Sequence, residues 1–241
     1  MMGRLHLSRR GRTILAVAFL IALLATMPLR LLFSAVGADE YEIAARSIRG
    51  PVWWGAAEEL QVGPVRVGTV DVMLSPFQLL LGRARFDISR RKGLPDDIEG
   101  ALTAGIAARG VDDMTGTLPM GGALAPLPIS AVEMQDASIA FNGARCVKAE
   151  GRVRALLSAG VAGLDLANGL SGELRCDGPD LVIPLVSQSG SERIDLRLSG
   201  TGRYEGGMSI ATGDPVVAAA VGAIGFRPVG GKQVLRVSGS L

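Results

Sequence analysis

The side chains able to do chemistry are few, and their spacing does not suit catalysis. The sole histidine is His6, set among Arg4, Arg9, Arg10 and Arg12. A Ser-His-Asp or Cys-His pair in the body of the chain is thereby excluded. Asp96-Asp97 and Asp112-Asp113 are the obvious paired carboxylates. Adjacent acids on a strand point to opposite faces, so solvated loops are the plainer reading. GGALAPLPIS (121–130) and EGGMSIATG (205–213) are turn-like and lack the strand–loop–helix setting of a phosphate cradle. Arg83 and Arg85, alternating with Ala84 and Phe86, form either a basic stripe or a wet strand face that discourages edge pairing. No catalytic, cofactor-binding or metal-binding residue is expected, and no enzyme.

Cys146 and Cys176 are the only cysteines. In an oxidising compartment an isolated pair is most simply a disulfide, with free buried thiols as the alternative. Two thiols so far apart, with the histidine in the leader, do not make a zinc set.

Compartment is therefore the next question. The chain has 241 residues, 48% of them hydrophobic, and its mean hydropathy is positive. Residues 13–29, TILAVAFLIALLATMPL, carry no charge. Arg30 follows and is able to snorkel, then LLFSAVGA. The expected organisation is a basic cytoplasmic leader over 1–12, a transmembrane anchor over 13–34, a linker over 35–49 and an exported domain over 50–241. A signal peptide cleaved after Ala38 is the alternative, since VGA (36–38) has the small residues required. Either way residues 39–241 face an exported compartment, the periplasm of a Gram-negative cell. Without the four leader arginines, the 25 basic residues fall to 21 against 23 acidic ones, a net of −2. That balance, with 4% aromatics, offers no nucleic-acid surface.

The body reads as strands. VRVGTVDVML (65–74) alternates with a phase slip between Val67 and Val70, which predicts a bulge near Gly68. RARFDIS (83–89) alternates after a short apolar corner, FQLLLG (77–82). Val132 to Phe141 predicts a strand, Asn142-Gly143 a turn, and Val147 to Ala155 its partner. GELRC (172–176), LVIPLV (181–186), RIDLRLSG (193–200) and VLRVSGS (234–240) follow. Pro184 places its strand at an edge or a bulge. One helix is well marked: Asp214 as N-cap, Pro215 at the first position, VVAAAVGAI as the body and Gly225 as the stop. A weaker helix is expected within 154–168, and 40–49 is a helical continuation or a linker. Residues 91–130 are patterned too weakly to place. Strands outnumber helices, so the class is mainly β.

Both tryptophans lie in GPVWWG (50–55). With a core plug and an outward ring expected of neighbours on a strand, one of Trp53 and Trp54 is assigned to the core and the other to the membrane headgroup layer. Both as core plugs, and a partner hot spot, stay open as readings.

The order of these motifs carries a resemblance. An anchor precedes G-x-V-W-x-G, with Gly50 and Gly55. Leu74-Ser-Pro76-x-x-Leu79-Leu80-x-Gly82 follows, then Cys146-x-x-Ala-x-Gly151, Gly172-x-Leu-x-Cys176-x-Gly178, Pro184-Leu185, Gly202-x-Tyr204 and Gly225-Phe226. The chain resembles protein N of the type II secretion system, the general secretion pathway protein N family, over most of residues 14–241. Val72 stands where members often carry Trp. The resemblance implies an accessory inner-membrane component of an exporter of folded periplasmic proteins, with no enzymatic activity. Its partners would be other inner-membrane or periplasmic components of that machine, reached through the anchor and exposed sheet edges. It also implies a curved antiparallel sheet or sandwich-like domain with one or two short helices. A likeness to AsmA-type lipid-bridging modules, by fold analogy alone, keeps a lipid ligand in an open apolar groove (65–88 and 132–141) as the second reading.

Overall fold

The computed structural model describes residues 9–31, 43–90, 97–158 and 168–240. Helix α1 spans Arg9–Ala25. Then come strands β1 (Ile43–Ala44), β2 (Ser47–Arg49), β3 (Gly55–Val62) and β4 (Val65–Leu74), and helix α2 (Pro76–Leu80). Strands β5 (Arg83–Arg90), β6 (Ile98–Gly105), β7 (Arg109–Pro119), β8 (Ile129–Asn142) and β9 (Arg145–Leu157) follow. The second half holds β10 (Leu170–Glu173), β11 (Arg175–Asp177), β12 (Asp180–Val186), β13 (Glu192–Leu198) and β14 (Arg203–Ile210). Helix α3 (Pro215–Ala223), β15 (Arg227–Val229) and β16 (Lys232–Ser240) complete it.

These strands form one 16-stranded antiparallel sheet, not two layers. From β3 to β10 each strand pairs with the next in the chain, and the same meander resumes from β12 to β14. Short turns make this the simplest connection available. The phase slip near Gly68 falls at two bulges: between Ala57–Val70 and Leu60–Gly68 the extra residue lies on β3, and between Leu60–Gly68 and Gln61–Arg66 it is Val67 on β4. Residues 40–49 were expected to be helix or linker. Where described they are strands β1 and β2, held on β3. Of the second helix expected within 154–168, residues 154–157 continue β9, and 159–167 lie outside the described residues.

Pro184 sits mid-sheet, not at an edge. Its strand, β12, pairs fully with β13 on one side. On the other side the ladder is split between β10 and β11, and the proline lies opposite that split. A residue with no N–H is tolerated where no bond is required of it.

The inner face, which carries Val70, Val72 and Leu74 of β4 and Ile194, Leu196, Met208 and Ile210 further on, is buried. What covers it is not a second sheet. The loop 120–128 contributes Leu124 and Leu127, α3 contributes Val217 and Val221, and Leu29 packs against β3 to β5. The Tyr204 hydroxyl donates to the Ala123 carbonyl at 3.3 Å, tying loop to sheet. Buried Arg90 donates to the carbonyls of Val67 and Thr117, joining β4 to β7 across the inner face. Helix α3 is capped as expected: Val216 N–H donates to Asp214 Oδ1 at 2.8 Å. At its end Phe226 N–H bonds Val221 C=O and Gly225 N–H bonds Gly222 C=O, a Schellman motif with Gly225 left-handed.

Among the described residues no helix is long and apolar enough to cross a membrane. Helix α1 has 17 residues, about 25 Å at 1.5 Å per residue. Ile14, Phe19 and Ile21 on it are exposed.

Candidate interaction surface

The GPVWWG stretch is a turn rather than a strand, and this changes the roles of its side chains. Trp54 N–H donates to Pro51 C=O at 3.2 Å, closing it. Gly50 has a φ of +84°, and a Cβ there would lie 2.7 Å from the Trp54 carbonyl oxygen. A Cβ on Gly55 would lie 2.6 Å from a Leu29 methyl. The two glycines thus let the turn close and let Leu29 pass beneath it. Val52 takes the core position, 2% exposed, while Trp54 is 68% exposed and Trp53 half-buried. The assignment of one tryptophan to the core fails because turn geometry, not strand alternation, orients them.

The turn is bonded to both neighbours. Val52 N–H donates to Met27 C=O at 2.8 Å, and Val52 C=O accepts from Leu74 N–H at 3.1 Å. Leu74 is buried, and the chain then turns through Ser75 and Pro76 into α2, none of whose side chains is buried. Leu80 projects outward and Gly82 is left-handed.

On the outer face of the sheet, beside this turn, lies an open groove of about 810 Å³. Trp54 and Met73 supply apolar wall, and the four carboxylates of Asp71, Asp87, Glu99 and Asp113 outnumber the two guanidinium groups of Arg49 and Arg85. Its floor includes the small residues Gly55, Ala56 and Gly100. Asp71 and Glu99 have no cationic partner among the described residues.

Arg85 orders the charge within the groove. Its guanidinium is 2.9 Å from Asp87, 3.4 Å from Asp112 and 4.0 Å from Asp113. Lys148 approaches Asp112 at 3.8 Å from the other side. Asp112 and Asp113 therefore share a face, contrary to the alternation rule. A bulge explains it: between Val111–Ile139 and Met114–Ala137, two β7 residues oppose the single Ser138. Asp113 takes the left-handed conformation, φ +52°, and exchanges hydrogen bonds with the Ser138 side chain. Aspartate enters the left-handed region more readily than most residues, but that preference alone does not single out Asp113 among the aspartates of the chain. Asp97 is described and Asp96 is not, so that pair lies partly outside the described residues. Among the described residues no His, Cys, Asp and Glu cluster could hold a metal ion.

The family model for type II secretion system protein N matches residues 42–236. The chain belongs to that family. As a member of the protein N family it is an accessory component of type II secretion. No curated protein and no solved structure matches it.

The motif residues of this protein N family member occupy definite places. Cys146 and Cys176 form a disulfide, with their Cα atoms 5.6 Å apart. It joins β9 to β11 where the β9–β10 ladder has ended at Arg152–Glu173. Gly151 lies in the left-handed region, and a Cβ there would be 2.4 Å from the Asp136 carbonyl. Gly178 turns β11 into β12 with open space around it. Tyr204 is buried, and the glycine at 239 leaves room for its ring. These are positions of backbone closure and packing.

Proposed function

We propose that this chain is a structural component of the type II secretion machine, held at the bacterial inner membrane by its N-terminal segment and acting by binding rather than catalysis. Residues 50–241 lie in the periplasm, where the oxidising environment suits the Cys146–Cys176 bond. Helix α1 carries the first part of the anchor read over 13–34: Ile14, Leu15, Val17, Phe19, Ile21 and Leu23 are exposed on it, and such a helix calls for an apolar surrounding.

The observation that carries the binding role is the outer-face groove with exposed Trp54 and two unpaired carboxylates. An aromatic beside carboxylates suits a basic segment of another secretion component, through cation–π and ion-pair contacts. The two sheet edges differ. One is covered by β1 and β2, two and three residues long, whereas at the other β15, with Pro228 inside it, pairs only with Lys232 to Val234 and leaves the rest of β16 as the longer edge. Short edges and a proline resist strand addition, so only the far part of β16 is open to it.

The lipid-bridging reading requires an open inner face. Val70, Val72, Leu74, Ile88 and Ala137, within the stretches named for such a groove, are buried instead. That burial favours a protein partner. The test is to delete the gene in its host and fractionate cells carrying the restored chain. The expected result is retention in membranes after alkaline carbonate washing, and periplasmic accumulation of exported proteins in the deletion strain. Release by carbonate with normal export would overturn the reading.

A further inference from the structure

We propose that the β4–β5 connection, together with Ile106 beside it, is a second membrane contact: an apolar tip that enters the headgroup layer of an anionic bilayer next to α1. Its choice of occupant rests on the reading of α1 as the anchor, while its own residues are separate from that helix. Phe77 is 77% exposed, Leu80 84% and Leu81 76%, and Ile106, in the β6–β7 turn, 99%. The two turns leave the same end of the sheet, since Arg83 at the start of β5 pairs with Gly105 at the end of β6. A cluster of large apolar side chains with nothing under them marks a contact surface.

Three observations make the occupant a bilayer. The chain arrives from α1 at this same end, because Met27, Val52 and Leu74 are linked by consecutive main-chain bonds. The exposed apolar helix and the exposed apolar tip therefore share one end of the molecule. Second, α2 places Gln78 so that its Oε1 accepts from Arg83 at 2.7 and 3.1 Å. Arg83 has no carboxylate partner among the described residues. Third, Arg109, just beyond Ile106, donates to the Gly200 carbonyl and likewise pairs with no acid among them. Apolar side chains in front and uncompensated guanidinium groups behind is the pattern of interfacial membrane binding, with the arginines at headgroup phosphates. A second attachment of this kind fixes the orientation of the sheet over the membrane, which a single helix does not.

The test uses the full chain reconstituted in vesicles containing phosphatidylglycerol, its native disulfide intact. An environment-sensitive fluorophore is placed singly at Leu80→Cys, Ile106→Cys, Phe19→Cys in α1, and Gly190→Cys at the opposite end of the sheet. Lipids carrying a shallow nitroxide quencher are then introduced. The proposal expects emission at positions 80 and 106 to fall at least twofold, position 190 to be unchanged, and the loss at 80 to shrink when neutral lipid replaces phosphatidylglycerol. Positions 80 and 106 as unquenched as 190 would overturn it, even with position 19 quenched, and the anchor would then stand alone. Quenching at 80 without quenching at 19 would uphold the tip and sink the anchor. Blue-shifted but unquenched emission at 80 would mean that protein covers the tip, and would also overturn the proposal.

Discussion

The Leu74 amide donates to the Val52 carbonyl at 3.1 Å, and this bond joins the two most distinctive motifs of the chain. GPVWWG supplies the acceptor and the L-S-P motif the donor. The result is a single structure at one end of the sheet: a glycine-closed turn with Val52 inward and Trp54 outward, and beside it an apolar helical tip. Leu29 passes under the turn, so the N-terminal segment is packed into the same unit.

That packing predicts a local effect. Leu29 is fully buried among Ala57, Val70 and Val72. Leu29→Ala should cost about 2–4 kcal/mol, in the range of leucine truncations in well-packed sites. Amide exchange of residues 50–55 should quicken, with little change around β13 and β14. Uniform acceleration across the sheet would contradict the local role.

The disulfide prediction concerns non-additivity. Cys146→Ser and Cys176→Ser should each lower stability by roughly 3–4 kcal/mol in the chain-entropy picture of a 30-residue loop. The double variant should lose about the same, because one bond is broken in all three. Thermal unfolding with and without reductant checks it: reductant should destabilise the native chain and leave the variants unchanged.

Two glycines separate crowding from backbone strain. A Cβ on Gly172 would sit 1.8 Å from the Pro184 carbonyl oxygen, a main-chain atom of a strand held along its length by β13. Gly172→Ala should cost more than about 3 kcal/mol, as overpacked sites do at their upper range. At Gly178, φ is +63° and nothing lies within 4 Å. Gly178→Ala should cost only about 1 kcal/mol, the strain of a left-handed residue. Denaturation midpoints decide it, and equal losses would refute the steric account.

Much of this fold is legible in the sequence, and the limits have physical causes. Alternation marks β4 and β13 because each buries one face and wets the other. Caps mark α3 because Asp214, Pro215 and Gly225 each solve a separate terminal problem. Strands β6 and β7 escape notice because they pair through small residues: Gly100 meets Met114, and a Cβ on Gly110 would lie 1.9 Å from the Ile139 carbonyl. Close backbone approach of that kind leaves no hydrophobic period to read. The tryptophans mislead because Val52 is the residue that the turn aims inward. The single sheet differs from a sandwich only in what covers its inner face, which is a loop, a helix and Leu29 in place of a second sheet.

The cap on α3 makes its own prediction. Asp214→Ala removes the bond to Val216 N–H and should cost about 1 kcal/mol, while Asp214→Ser should restore most of it. Because α3 buries Val217 and Val221 over the sheet, the loss should appear in the main unfolding transition and not as fraying of an isolated helix.

The central claim is that the outer-face groove binds another component of the secretion machine. Its most direct test is photo-crosslinking in intact cells, with a photoreactive residue at Trp54 or Met73 in the groove and, for comparison, at Phe86 on the inner face, followed by mass spectrometry of the adducts. The account predicts adducts from positions 54 and 73 to protein components of type II secretion, through basic segments, and none to lipid from position 86. Lipid adducts at position 86, with no secretion protein captured at 54 or 73, would contradict it and place the lipid-bridging reading first.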